Sequence, residues 1–176
     1  LTQDSQDACP QLAIFFCRYR LGEDMRRGLT LFSRIKKGGR AVRRNSIYER
    51  ETNGIKVSVR PTFLEGQSDP DDDLYVWSYT VKIHNGSHGN VRLRTRHWLI
   101  TNAKGLTEEV RGIGVVGEQP LIRPGEGFEY TSGAPLSTPS GMMVGRYGME
   151  SAEGELFEVD IPAFSLDSPH ERRKVH

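Results

Sequence analysis

This sequence predicts an all-β immunoglobulin- or fibronectin type III-like sandwich, with two antiparallel sheets packed face to face. Three observations predict it. From Ile55 onward apolar residues recur at every second position; turn chemistry interrupts the alternation every eight to fifteen residues; and no helical segment intervenes to carry a crossover between parallel strands.

The elements before that region read differently. Residues 1 to 50 carry eleven Lys and Arg against five Asp and Glu, whereas residues 51 to 176 carry thirteen against eighteen. Leu12, Phe15, Phe16 and Tyr19 follow the spacing of one helical face, and Leu29, Phe32 and Ile35 repeat it more briefly before Gly38 and Gly39. The expected organisation is a basic N-terminal extension over 1–50, partly helical or disordered; a β-sandwich over 51–167; and a disordered tail over 168–176. The longest apolar run, Leu12 to Cys17, is six residues long and followed by Arg18 and Arg20, which is too short to span a bilayer and a poor signal peptide. Cys9 and Cys17 are the two cysteines, so the β region has no disulfide framework. A reducing, cytoplasmic compartment is the expectation.

Ile55, Val57 and Val59 open the first strand. Tyr75, Trp77, Tyr79, Val81 and Ile83 then share one face of a long strand whose other face carries Ser78, Thr80, Lys82 and His84, the pattern of a sheet buried on one side. Asn85 to Asn90 turns the chain into Val91, Leu93 and Thr95, alternating with Arg92, Arg94 and Arg96. Beyond His97 the apolar positions are Trp98 and Ile100, a change of phase that a β-bulge at His97 would produce. Further strands are expected over Leu106 to Arg111, Phe128 to Ser132, Met142 to Glu150 and Leu156 to Ile161, with Arg123-Pro124-Gly125 and Glu153-Gly154 as turns.

Several motifs invite a chemical reading. Gly112-Ile113-Gly114-Val115-Val116-Gly117 has the GxGxxG form, but Glu118, Gln119 and Pro120 begin no helix, so the dinucleotide-fold context fails. Its glycines can still form an anion-binding nest of N–H groups, with Arg111 and Arg123 as flanking charges. The favoured alternative is that they supply positive φ or close backbone approach. Asp69, Asp71 and Asp73 form an acidic candidate site for a hard cation, although the EF-hand ligand spacing is absent and a solvated loop is favoured. His84, His88 and His97 surround one hairpin without HExxH or a neighbouring cysteine. No GxSxG elbow and no catalytic constellation is found. Arg92, Arg94 and Arg96 form a positive stripe beside His97 and Trp98, open to phosphates or acidic peptides unless Glu108 and Glu109 neutralise it.

Gln67-Ser68-Asp69-Pro70, Thr95-Arg96-His97-Trp98, Val110 through Pro120, Phe128-Glu129-Tyr130-Thr131-Ser132-Gly133, Thr138-Pro139-Ser140-Gly141 and Ile161 through Leu166 together closely resemble the ApaG family, over roughly Glu51 to Asp167. The resemblance implies a fibronectin-type sandwich in a bacterial stand-alone protein, since relatives of the domain serve as interaction modules inside F-box proteins and a DNA-polymerase-delta-interacting protein. It further implies a connection to dinucleoside-tetraphosphate metabolism and to cobalt and magnesium efflux. A pyrophosphate site is proposed for the family's glycine motif, here Gly112, Gly114 and Gly117.

The expected function is therefore that of a non-catalytic binding module needing no cofactor. It would engage a protein partner through Arg94, Arg96, His97, Trp98 and Glu118. The alternatives are a nucleotide or pyrophosphate ligand at the glycine loop, and an indirect regulatory role in cobalt and magnesium resistance. A homodimer is compatible with the fold, and no membrane span is expected.

Overall fold

A computed structural model of the chain describes residues 46–170. The two helices expected around Leu12–Tyr19 and Leu29–Ile35 lie outside the described residues, as does the end of the tail. Nine strands are present among the described residues: β1 (Tyr48–Thr52), β2 (Ile55–Phe63), β3 (Tyr75–Asn85), β4 (Val91–Asn102), β5 (Thr107–Ile113), β6 (Leu121–Ile122), β7 (Gly127–Leu136), β8 (Ser140–Ser151) and β9 (Leu156–Asp167). They form two antiparallel sheets, one ordered β1-β2-β3-β7 and the other β5-β4-β8-β9, with β6 also paired to β4.

The alternation of β2 and β3 has its expected cause. Ile55, Val57, Val59, Trp77, Val81 and Ile83 turn inward and are almost wholly buried. They meet Leu93, Trp98, Met143, Tyr147, Met149, Val159, Ile161, Phe164 and Leu166 from the second sheet. Trp98 stands at the centre, with edge contacts to Tyr79, Tyr147 and Phe164 at centroid distances of 5.4, 6.4 and 6.0 Å. Asn85 is a buried polar side chain with its bonds satisfied: it donates to the carbonyls of Gly89 and Ile122 and accepts from the Ser87 N–H.

The structure departs from the sequence-based expectation in three places. First, the sheet begins before residue 51, because β1 precedes β2 through the two-residue turn Asn53-Gly54, whose φ values of 51° and 77° are those of a tight hairpin. β1 is also fastened to β9: Arg50 pairs with Asp160 at 2.9 Å, and the Tyr48 hydroxyl bonds Ser165 Oγ at 2.9 Å. Second, the bulge of β4 falls between Leu93 and Thr95, at Arg94, and not at His97. Arg96 consequently shares the inward register of Tyr147 and Trp98. Third, the expected tail is anchored at its start. Ser168 is buried and donates its N–H to the Pro139 carbonyl, and the His170 ring packs against Phe63.

Candidate functional site

Thr107 to Ile122 runs along one side of β4, first as β5 and last as β6, and the glycine motif interrupts this line. Gly114 donates its N–H to the Arg94 carbonyl, at the bulge itself. The chain then doubles back between Val115 and Glu118, which exchange both backbone hydrogen bonds at 2.9 and 2.8 Å. Val116 and Gly117 form the turn, with φ of 45° and 80°, the two positive values of a type I′ hairpin. A β-branched residue seldom adopts such a backbone. Val115 is fully buried and Val116 packs on the core, so the hairpin is pinned inward by its side chains.

The three motif glycines do different things. Gly114, at φ 59°, has no space for a side chain, because a Cβ would run into the Glu118 carbonyl oxygen. Gly117 needs only its φ, since open space surrounds it. Gly112 leaves room for the Arg96 guanidinium, which a Cβ there would meet at 2.8 Å. No helix follows, so the motif is a β-hairpin and not the entry to a dinucleotide site.

The arginines bound to this hairpin are not the pair expected from sequence. Arg96 Nη1 donates to the Gly114 carbonyl at 2.7 Å and to that of Ile113 at 3.2 Å. Arg94 donates to Gln119 Oε1 at 2.9 Å and pairs with Glu150. Arg111, by contrast, is occupied by Glu109 at 2.6 Å, and Arg123 lies beyond β6, 3.5 Å from Glu126. The Arg92, Arg94, Arg96 stripe does not exist as one face, because the bulge sends Arg96 inward and Glu150 takes Arg94. Trp98 cannot serve as a surface contact, being 2% exposed. Glu118 is exposed at the end of the hairpin.

Asp69, Asp71 and Asp73 do not converge on a cation. The Asp69 carboxylate accepts the Asp71 N–H at 3.2 Å and starts a short 3-10 turn, which Asp73 ends at φ 52°. No group of three or more His, Cys, Asp or Glu gathers as a metal site among the described residues. His84 and His97 lie on different sheets, and His88 lies in the turn after β3.

The outer face of the second sheet gathers what the sequence leaves scattered. Register across β5, β4, β8 and β9 sets Arg111, His97, Arg146 and Asp160 in one row. The adjacent row holds Glu109, Leu99 and Val144, and the next places Met142 beside Thr101. Val144 is 37% and Met142 53% exposed. A depression of about 200 Å³ lies between Arg50, His97, Leu99, Val144, Arg146 and Asp160. His97 Nε2 stands 2.6 Å from Glu109 Oε1. The Arg111 guanidinium, and after it His97, hold the Glu109 carboxyl below the usual range. Arg146 is paired with Glu158 at 2.8 Å. Only His97 and Arg111 of this face were candidates from the sequence; Leu99, Val144, Met142 and Arg146 were not, because register across four strands is what unites them.

The ApaG domain family matches residues 65–151. Proteins named ApaG from Parvibaculum lavamentivorans and Rhodospirillum centenum are 63% and 60% identical over 130 and 128 residues, covering 74% and 73% of this chain and 100% and 98% of those proteins. A crystal structure described as the putative ApaA protein from Bordetella pertussis is similar in fold, with a TM-score of 0.65 and 48% identity over 66% of this chain and 95% of that one.

Proposed function

The chain belongs to the ApaG family, and we propose that it acts as a non-catalytic docking module for a protein partner, engaged on the outer face of β5-β4-β8-β9. The observation that carries this reading is the apolar stripe of Leu99, Val144 and Met142, bordered by the charged row of Arg111, His97, Arg146 and Asp160. Such a face has the composition of an interface: an apolar centre for burial and a charged rim for register. Exposed Ile113, at the end of β5 beside the glycine hairpin, extends it. The test compares lysate capture by the wild type with capture by Val144→Glu and Arg146→Glu, using thermal unfolding to confirm intact folding. A partner lost by both variants supports the reading; a partner retained equally by both, or none recovered at several salt concentrations, ends it.

A second reading rests on the hairpin tip. Among the described residues no hydrogen bond engages the N–H groups of Val116 and Gly117, which adjoin at the tip of the turn. Two such donors suit an oxyanion, such as one phosphate of a dinucleoside polyphosphate. Amide NMR during titration with diadenosine tetraphosphate tests it, and unmoved Val116 and Gly117 signals exclude it.

A further inference from the structure

Strand β7 is the last strand of its sheet, and among the described residues nothing pairs with its outer side. The direction of its backbone groups follows from its neighbour. Val76 of β3 accepts the Leu64 N–H on its carbonyl at 2.8 Å and donates its own N–H to Ser68 Oγ at 2.9 Å, so both its groups point away from β7. At the far end of β3, Asn85 bonds Glu126 and Gly125 at 2.9 and 2.7 Å, toward β7. Alternation along an antiparallel pair therefore directs the backbones of Phe128, Tyr130, Ser132, Ala134 and Leu136 at β3. Those of Gly127, Glu129, Thr131 and Gly133 point outward with both N–H and C=O, and Pro135 with its carbonyl alone. Glu129 and Thr131 are exposed. Edge strands are commonly blunted by Lys, Pro or a bulge; β7 has no Lys, no bulge, and Pro135 only near its end.

We infer that this edge pairs with the same edge of a second copy of the chain, antiparallel, about a two-fold axis through Thr131. The sequence around that residue is complementary to itself. Glu129 would face Gly133 of the second copy on the outer surface, while Tyr130 would face Ser132 and Phe128 would face Ala134 on the inner one. Each large side chain meets a small one, and Thr131 meets Thr131. Thr131 Oγ1 already bonds Thr80 Oγ1 at 2.8 Å, so the joint would carry four threonines across a continuous sheet. Roughly eight backbone hydrogen bonds close it. Neighbouring registers are worse. Centring on Glu129 sets two carboxylates opposite one another, and centring on Gly133 moves Pro135, which has no N–H, from the end of the ladder to the pair beside the axis. The surface is distinct from the docking face proposed above and does not depend on it.

Sedimentation velocity of the full chain over a concentration series tests the inference. The wild type is expected to show a reversible monomer–dimer equilibrium. Thr131→Pro removes an outward N–H and is expected to leave a folded monomer, since its bond is not part of the β3 ladder. Should that variant fold poorly, Gly133 decides the matter, because its Cβ would meet nothing nearer than the Trp77 carbonyl at 3.7 Å. Gly133→Asp places a carboxylate opposite Glu129 of the second copy and should raise the dissociation constant roughly threefold to tenfold, whereas Gly133→Lys should lower it by a similar factor. A wild type that stays monomeric, or a dimer indifferent to the sign of the charge at residue 133, overturns the inference.

Discussion

Gly114 and Gly117 share a motif but not a constraint, and substitution separates them. Gly117→Ala meets open space and should cost about 1 kcal/mol, the cost of positive φ alone. Gly114→Ala also drives a methyl into the Glu118 carbonyl and should cost about 3 kcal/mol or more. Urea unfolding of both variants checks the order, and equal losses would refute it. A second pair of residues is coupled through a hydrogen bond. The Tyr130 and Tyr147 hydroxyls meet at 2.6 Å inside the core. Tyr147→Phe should cost about 1–3 kcal/mol by stranding the Tyr130 hydroxyl, and adding Tyr130→Phe should return part of it. Burial pushes both phenols well above their ordinary value of 10.0. The native state thus holds protons that the unfolded chain releases, so this contribution is intact below pH 10 and is lost as pH rises beyond it. Unfolding followed from pH 9 to 12 should steepen above pH 10 in the wild type and less so in the double variant. At this scale the sequence marks the glycines as special, yet gives no sign that Arg96 turns inward to bind them, since that depends on where a bulge falls several residues away.

The strands show which signals are readable and which are not. β2 and β3 are legible because each buries one face only, and the period of two survives intact. β1 is not, because Tyr48 is its one large apolar side chain and the rest is charged or polar. The readable sign is Asn53-Gly54, a strong hairpin marker that implies a strand on both sides. β1 should matter despite its composition: a fragment of residues 46–170 is expected to exceed one of residues 53–170 by about 2–4 kcal/mol, chiefly the burial of Tyr48 against the core. Thermal melts of the two would show it, and coincident curves would contradict it. In β4, Thr95 fits the apolar phase as well as the polar one, and this displaces the expected bulge to His97. The carboxylates of Glu49, Glu109 and Glu150 are held below their ordinary value of 4.5, chiefly by Lys56 and Arg94 on neighbouring strands for the first and last and by Arg111 on the same strand for Glu109. Each lowers its native pKa, so the small stabilisation they provide is present above that pH and lost as pH falls below it. Added salt should weaken the dependence, because all three pairs face solvent.

For the molecule as a whole, each sheet joins strands far apart in sequence, β3 to β7 in one and β4 to β8 in the other, and the two layers pack distant strands together. Loop closure must therefore precede most of the stabilising contacts, and refolding of the domain should take milliseconds to seconds. Stopped-flow tryptophan fluorescence, reporting on Trp77 and Trp98, measures this directly; microsecond refolding would be incompatible with the topology. The fold class and most strands are legible in the sequence, because burial of one face is a local property of each strand. The face proposed for docking is not, since its residues come together only when four strands align.

At one margin of the first sheet, side chains of β1 hold it against β9; at the other, β7 meets nothing among the described residues. A join about a two-fold axis occupies that margin in both chains at once, so pairing through β7 ends with two chains.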